Sequence, residues 1–155
     1  MNVFVDANIS DRLSRMLAIY CENKHNIVHI TEHPDFTHNN DKRGSNNTPD
    51  IEWIRKLGAS REEWKVLTAE SDIIDTAHER AALIESGLTL FSFDKHWDDG
   101  GFPAQGWKII KVWGEIERHA MMPGPALYRV NMRKLSLEVI GPGMRARGGK
   151  FRGQV

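Results

Sequence analysis

Three short apolar runs in this chain each end in acid: VFVD at Asp6, VLTAESD at Glu70 and Asp72, and LFSFD at Asp94. Runs apolar at successive positions suit strands buried on both faces, which is the condition of a parallel sheet covered by helices. The segments between them carry helical spacing. Leu13, Met16, Leu17 and Tyr20 fall at i, i+3, i+4 and i+7, with Ser10 placed to cap that helix. Pro49 suits the first turn of a helix bearing Asp50, Trp53, Ile54 and Leu57, with Gly58 near its end. A helix is expected over 75–86, stopped by Gly87, and another over 104–120 with Ile109, Val112, Trp113, Ile116 and Ala120 on one face. Strands are expected at 2–5, 27–30, 66–68 and 88–93, and 127–131 with 135–140 form a candidate C-terminal hairpin. Alternating strands and helices of this kind build an α/β domain around a parallel sheet.

In an open parallel sheet, sites form beyond the carboxyl ends of the strands. The acids of this chain therefore converge on one edge, with Asp50 added from a helix start after the polar stretch 33–49. Convergence has a cost, because neighbouring carboxylates raise each other's pKa. A divalent cation removes the repulsion, and Mg²⁺ or Mn²⁺ is the hard ion that carboxylate and water oxygens select. Such an ion can activate water and stabilise an in-line phosphoryl transfer, so the pattern points to phosphodiester chemistry. Asp6, Asp50, Glu70 and Asp72 are the candidate catalytic acids and metal ligands, and Asp94 is a further candidate ligand. The plainer reading of any single acid is a helix or turn cap, as Asp72, Asp75 or Asp94 could be; capping alone does not explain an acid at each strand end.

The chain has 155 residues, the size of one domain. It is read as one domain over 1–140 with a Gly- and Arg-rich tail, expected to be disordered, over 141–155. Its net charge of zero hides an asymmetry. From Arg129 onward there are seven basic residues and one acid, Glu138, so that segment is +6 and residues 1–128 are −6. An acidic body suits a cation, and a basic end suits RNA or an acidic protein. Cys21 is the only cysteine, which excludes an internal disulfide and fits a reducing, cytoplasmic setting. No apolar run reaches the ~20 residues of a membrane helix, and the opening MNVFVDANIS lacks the basic start of a signal peptide.

The order VFVDANIS, PDIEWIRKLG, EWKVLTAESDI and HERAALIESGLTLFSFDKHW resembles the PIN-like domains of VapC-type toxins, in the compact branch where a Trp-containing helix precedes the second acidic strand end. The resemblance spans about residues 2–113. It implies a three-layer α/β/α sandwich with a central parallel sheet, and a Mg²⁺- or Mn²⁺-dependent ribonuclease held in check by a cognate antitoxin. It places Asp6 after the first strand, Asp50 at the opening of the Trp-containing helix, and Glu70 where relatives carry Asp, with Asp72 beside it. It implies water attack on an RNA phosphodiester without a covalent intermediate. Toxins of this kind are often homodimers, and the exposed face of the last helix is a candidate interface. The alternative within the family is a catalytically idle module that binds RNA or protein. A haloacid-dehalogenase-type phosphatase would need a second Asp where Asn8 stands, and a response-receiver domain would need an acidic pair near Asp6.

Asn8 is read first as satisfying the strand–helix turn and second as a holder of water or phosphate. Thr68 is a candidate to orient Asp6. Trp53 and Trp113 belong to the core, while Trp97, between His96 and Asp98, is the surface candidate for base stacking. His25, His29, His33 and His38 lack cysteine partners and zinc spacing. Arg145, Arg147, Lys150 and Arg152 are candidates to track an RNA backbone or to dock an antitoxin.

Overall fold

A computed structural model describes residues 1–36 and 48–141. Gly141, expected to open the tail, ends the last strand, and the rest of the tail, 142–155, with its four basic candidates lies outside those residues, as do His38 and most of the polar stretch 33–49.

The chain folds as an α/β/α sandwich around one six-stranded sheet. The strands are β1 (Asn2–Val5), β2 (Asn26–His29), β3 (Trp64–Thr68), β4 (Thr89–Phe93), β5 (Ala126–Asn131) and β6 (Ser136–Gly141). Their order across the sheet is β2-β1-β3-β4-β5-β6. The first five are parallel, and β6 returns antiparallel to β5 as the expected hairpin. Every residue of β3 and β4 is buried, as expected of strands covered on both sides.

Strand alternation divides the core into two layers. Val3, Val5, Leu67, Phe91, Phe93, Tyr128 and Val130 face α1 (Asp11–Tyr20) and α5 (Gly101–Ala120). Phe4, Val66, Leu90 and Leu127 face α2 (Asp50–Ala59), α3 (Asp72–Asp75) and α4 (Ala77–Glu85). The period of two along each strand sends neighbours to opposite faces, so one apolar run fills both layers.

Ser10 caps α1 as its position predicts, accepting from the Arg12 N–H. The expected helix over 75–86 is instead two helices. α3 begins at Asp72, and Thr76 breaks the run with extended backbone angles before α4 starts. The Thr76 N–H closes on the Asp72 carbonyl and the Arg80 N–H opens α4 on the Thr76 carbonyl, so both ends are satisfied around the break. α5 starts three residues before the expected Ala104, with Pro103 in the first turn, where its missing N–H costs nothing. Trp97 corrects another expectation: it is 1 % exposed and packs on Phe93, with ring centroids 4.9 Å apart. Trp107 is the exposed tryptophan, at 56 %.

Candidate metal centre

The order β2-β1-β3-β4-β5 reverses direction between β1 and β3, and a crevice opens at such a switch point beyond the strand ends. The acids following these two strands are Asp6 and Glu70. Asp50 joins them from the first turn of α2, the helix that leads into β3. One carboxylate oxygen from each of Asp6, Asp50 and Glu70 lies within 4.8 Å of the others. They line a cleft of about 260 Å³ together with Ala7, Asn8, Ile30 and Thr48.

Each acid is held by its neighbours. Asp6 is buried, and its two oxygens accept from different donors: the Ala7 N–H at 2.7 Å and the Thr68 hydroxyl at 2.9 Å. Thr68 also accepts from the Glu70 N–H at 3.1 Å, so one hydroxyl ties the ends of β1 and β3 together. Asn8 extends the tie, its side-chain oxygen accepting from the Ala69 N–H at 2.9 Å. The Asn8 oxygen thus bonds the backbone after β3 and not the strand–helix turn it was expected to satisfy, and the residue lines the cleft. Asp50 accepts from the indole N–H of Trp53 at 2.9 Å, one turn along α2. Trp53 is itself fully buried against Phe4, which fixes the donor.

The electrostatics follow from this crowding. Burial pushes Asp6 up to about 6, the Asp50 carboxylate adds to the rise, and the hydrogen bonds from Ala7 and Thr68 oppose it. Burial also pushes Glu70 up to about 7, reinforced by the charges of Asp50 and Asp6 and by a hydrogen bond to Asp50 that only the protonated acid can donate. Two carboxyls that resist ionisation in a polar cleft describe a site short of positive charge. Among the described residues no Lys or Arg lines the cleft to supply it.

The other two candidate acids lie outside this group of three. Asp72 is exposed in the first turn of α3. Asp94 follows β4, one strand further from the switch point, and serves as a cap: one of its oxygens accepts from the N–H groups of His96 at 3.1 Å and Met132 at 3.0 Å. Glu79 was not a candidate by sequence, yet its charge acts on both Asp6 and Glu70, and those of Asp50 and Asp72 act on it. One of its oxygens is sealed from solvent with no hydrogen-bond partner. His29 is no ligand candidate, since its ring nitrogens are engaged by the Ile9 carbonyl at 2.7 Å and the Thr31 hydroxyl at 2.8 Å.

The donor set fits a hard divalent cation. It is all carboxylate oxygen, and it converges within the span of one ion's coordination shell. Among the described residues no helix is long and apolar enough to cross a membrane. Comparison with curated proteins and with solved structures finds no match. The family model described as a PIN like domain matches residues 1–95, from β1 to the residue after Asp94.

Proposed function

Because the chain belongs to the PIN-like domain family, whose members are generally nucleases, we propose that it is a Mg²⁺- or Mn²⁺-dependent endoribonuclease. The observation that carries this reading is the convergence of Asp6, Asp50 and Glu70 from three separate segments on one cleft. These three would hold the cation, and Asp72, two residues after Glu70, would reach it through water. Held by Asp6, Asp50 and Glu70, such an ion would supply Lewis acidity for activating water and positive charge to offset that of a phosphoryl group in transit.

The chain's own groups prepare the site. Thr68 and Ala7 hold the Asp6 oxygens, and Trp53 holds Asp50, so the ligands need little reordering on binding. Asn8 lines the same cleft, and its amide would offer a neutral donor to a phosphate oxygen. In PIN-like toxins such a nuclease is paired with an antitoxin. We extend that pairing to this chain, with a homodimer as its working state. The cleft acids repel an RNA backbone unless a cation intervenes, so cleavage requires the metal for binding as well as for chemistry.

The test is cleavage of a structured RNA by the purified full chain. Cleavage is expected with Mn²⁺, absent with EDTA, and restored when Mn²⁺ is returned. Equal cleavage in EDTA overturns the reading. If RNA is bound and not cleaved under any condition, the chain is an idle binding module.

A further inference from the structure

Four of the seven large apolar side chains exposed among the described residues lie on the two helices of one layer: Ile19 and Tyr20 on α1, Phe102 and Trp107 on α5. Such a concentration marks a contact surface. The two helices meet along a seam. The Arg12 guanidinium lies over the Phe102 ring at 4.2 Å, and Gly106, one turn further along α5, faces Leu13 and Met16. Beside it the Lys111 ammonium lies over the Trp107 ring at 5.8 Å. α1 follows β1 and α5 follows β4, so both helices start at the carboxyl edge of the sheet and the seam opens on the same edge as the acidic cleft. α5 lies beyond the residues that the family model matches, so this surface is additional to the matched domain.

The charges on the seam favour a polyanion. Every acid on α1 and α5 is already matched: Asp11 with Arg15 at 2.9 Å, Glu115 with Arg118 at 2.6 Å and Glu117 with His25 at 2.6 Å. Lys108 is held by the carbonyls of His96 and Asp99. Arg12 and Lys111 are left without an acid partner among the described residues, and each lies against an aromatic face. A second copy docked on this face would add like charges and no acid to answer them. An unpaired nucleic-acid strand answers both features, because bases stack on aromatic rings and guanidinium planes while phosphates meet the cations. A duplex keeps its bases stacked on one another and offers the seam none. The cleft itself carries no Lys or Arg among the described residues, so a strand cut there has to be gripped elsewhere. The stacking role expected of Trp97 thus falls to Trp107.

We propose that the seam between α1 and α5 is a docking strip for unpaired RNA, with Trp107 and the Arg12–Phe102 pair as stacking platforms and Arg12 and Lys111 as phosphate contacts. RNA as the strand rests on the ribonuclease reading of the cleft. The strip itself needs no metal.

The test is binding of a short unpaired oligoribonucleotide, and of the same sequence annealed in a duplex, to the full chain in EDTA, which withholds the metal. Fluorescence anisotropy reads affinity. Tryptophan emission reads contact, because Trp107 is exposed while Trp53, Trp64, Trp97 and Trp113 are buried. The unpaired strand should bind more tightly than the duplex and quench the emission. Trp107→Ala should weaken binding about 5-fold or more, the scale of one lost stack, with an unchanged melting temperature. Trp107→Phe should recover most of the affinity without the quenching. Arg12→Gln and Lys111→Gln should each lower the slope of log affinity against log salt by about 0.7, the value for one phosphate contact on a single strand. Wild-type affinity in Trp107→Ala, or equal binding of strand and duplex, overturns the proposal. So does a dimer that Trp107→Ala splits while RNA affinity stays, which would mark the seam as a protein interface. RNA gripped through Trp107 in EDTA, with no cleavage in Mn²⁺, upholds the strip and overturns the nuclease reading. Mn²⁺-dependent cleavage with RNA affinity indifferent to Trp107→Ala does the reverse.

Discussion

Asp6→Asn lowers the rate of RNA cleavage by more than about 100-fold, beyond the ~10–100-fold typical of losing an outer partner to a metal ligand. The fold survives the change. Asn retains an oxygen for the Ala7 N–H, and its –NH₂ can donate to the Thr68 hydroxyl, which turns from donor to acceptor. The metal-free variant is at least as stable as wild type above neutral pH. Keeping a buried carboxylate ionised when its pKa has risen from 3.8 to about 6 costs roughly 3 kcal/mol, and Asn has no charge to desolvate. Single-turnover cleavage with saturating Mn²⁺ and a metal-free thermal melt check the two halves. A loss of cleavage with a collapsed melt would point to misfolding. Cleavage at the wild-type rate would remove Asp6 from the site.

Asp94→Ala gives the opposite pattern. Its carboxylate oxygen accepts from two backbone N–H groups, His96 after β4 and Met132 after β5, and so fastens the turn that carries buried Trp97. Hydrogen bonds to a charged group are worth about 1.5–3 kcal/mol each. Partial exposure and water replacement reduce the sum to about 2–4 kcal/mol, which is roughly 5–15 °C of melting temperature for a chain of this size. Differential scanning calorimetry measures that loss. The Mn²⁺ concentration needed for half of the metal-induced stabilisation should stay near the wild-type value. A large change in that concentration with an unchanged metal-free melt would make Asp94 a ligand and refute its role as a cap.

The contrast between Asp6 and Asp94 shows how far the sequence can be read. Both end an apolar run and look alike in the chain. What separates them is strand order, which a local pattern does not carry: β1 and β3 flank the switch point, and β4 lies beyond it. The hydrogen bond from Met132, 38 residues further on, completes the cap on Asp94 and has no local signature. The two-layer core was legible, because alternation in β1, β3 and β4 sorts residues by face without any tertiary information. Trp97 was misread because its charged neighbours His96 and Asp98 suggest a surface. A four-residue 3-10 turn is too short for periodicity to reveal that its middle residue points inward. Glu79 escaped notice because a first-turn glutamate is ordinary in any helix, and its lack of a partner appears only in three dimensions.

The most direct test of the central claim, that these carboxylates await a cation, is melting temperature against pH with and without Mn²⁺. In the metal-free protein Asp6 and Glu70 sit above their ordinary values, at about 6 and about 7. The folded state then binds their protons more tightly than the unfolded chain does, so their contribution is complete below about pH 4 and is lost as pH rises through 6 to 7. Mn²⁺ competes with those same protons, so its stabilising effect grows over the same range. At about 100 times its dissociation constant a ligand adds about 2.7 kcal/mol, or roughly 5–10 °C here. The account predicts a small Mn²⁺ increment near pH 5, a large one near pH 8, and almost none at either pH in Asp50→Asn. An increment of equal size at both pH values, or one that persists in Asp50→Asn, would contradict it.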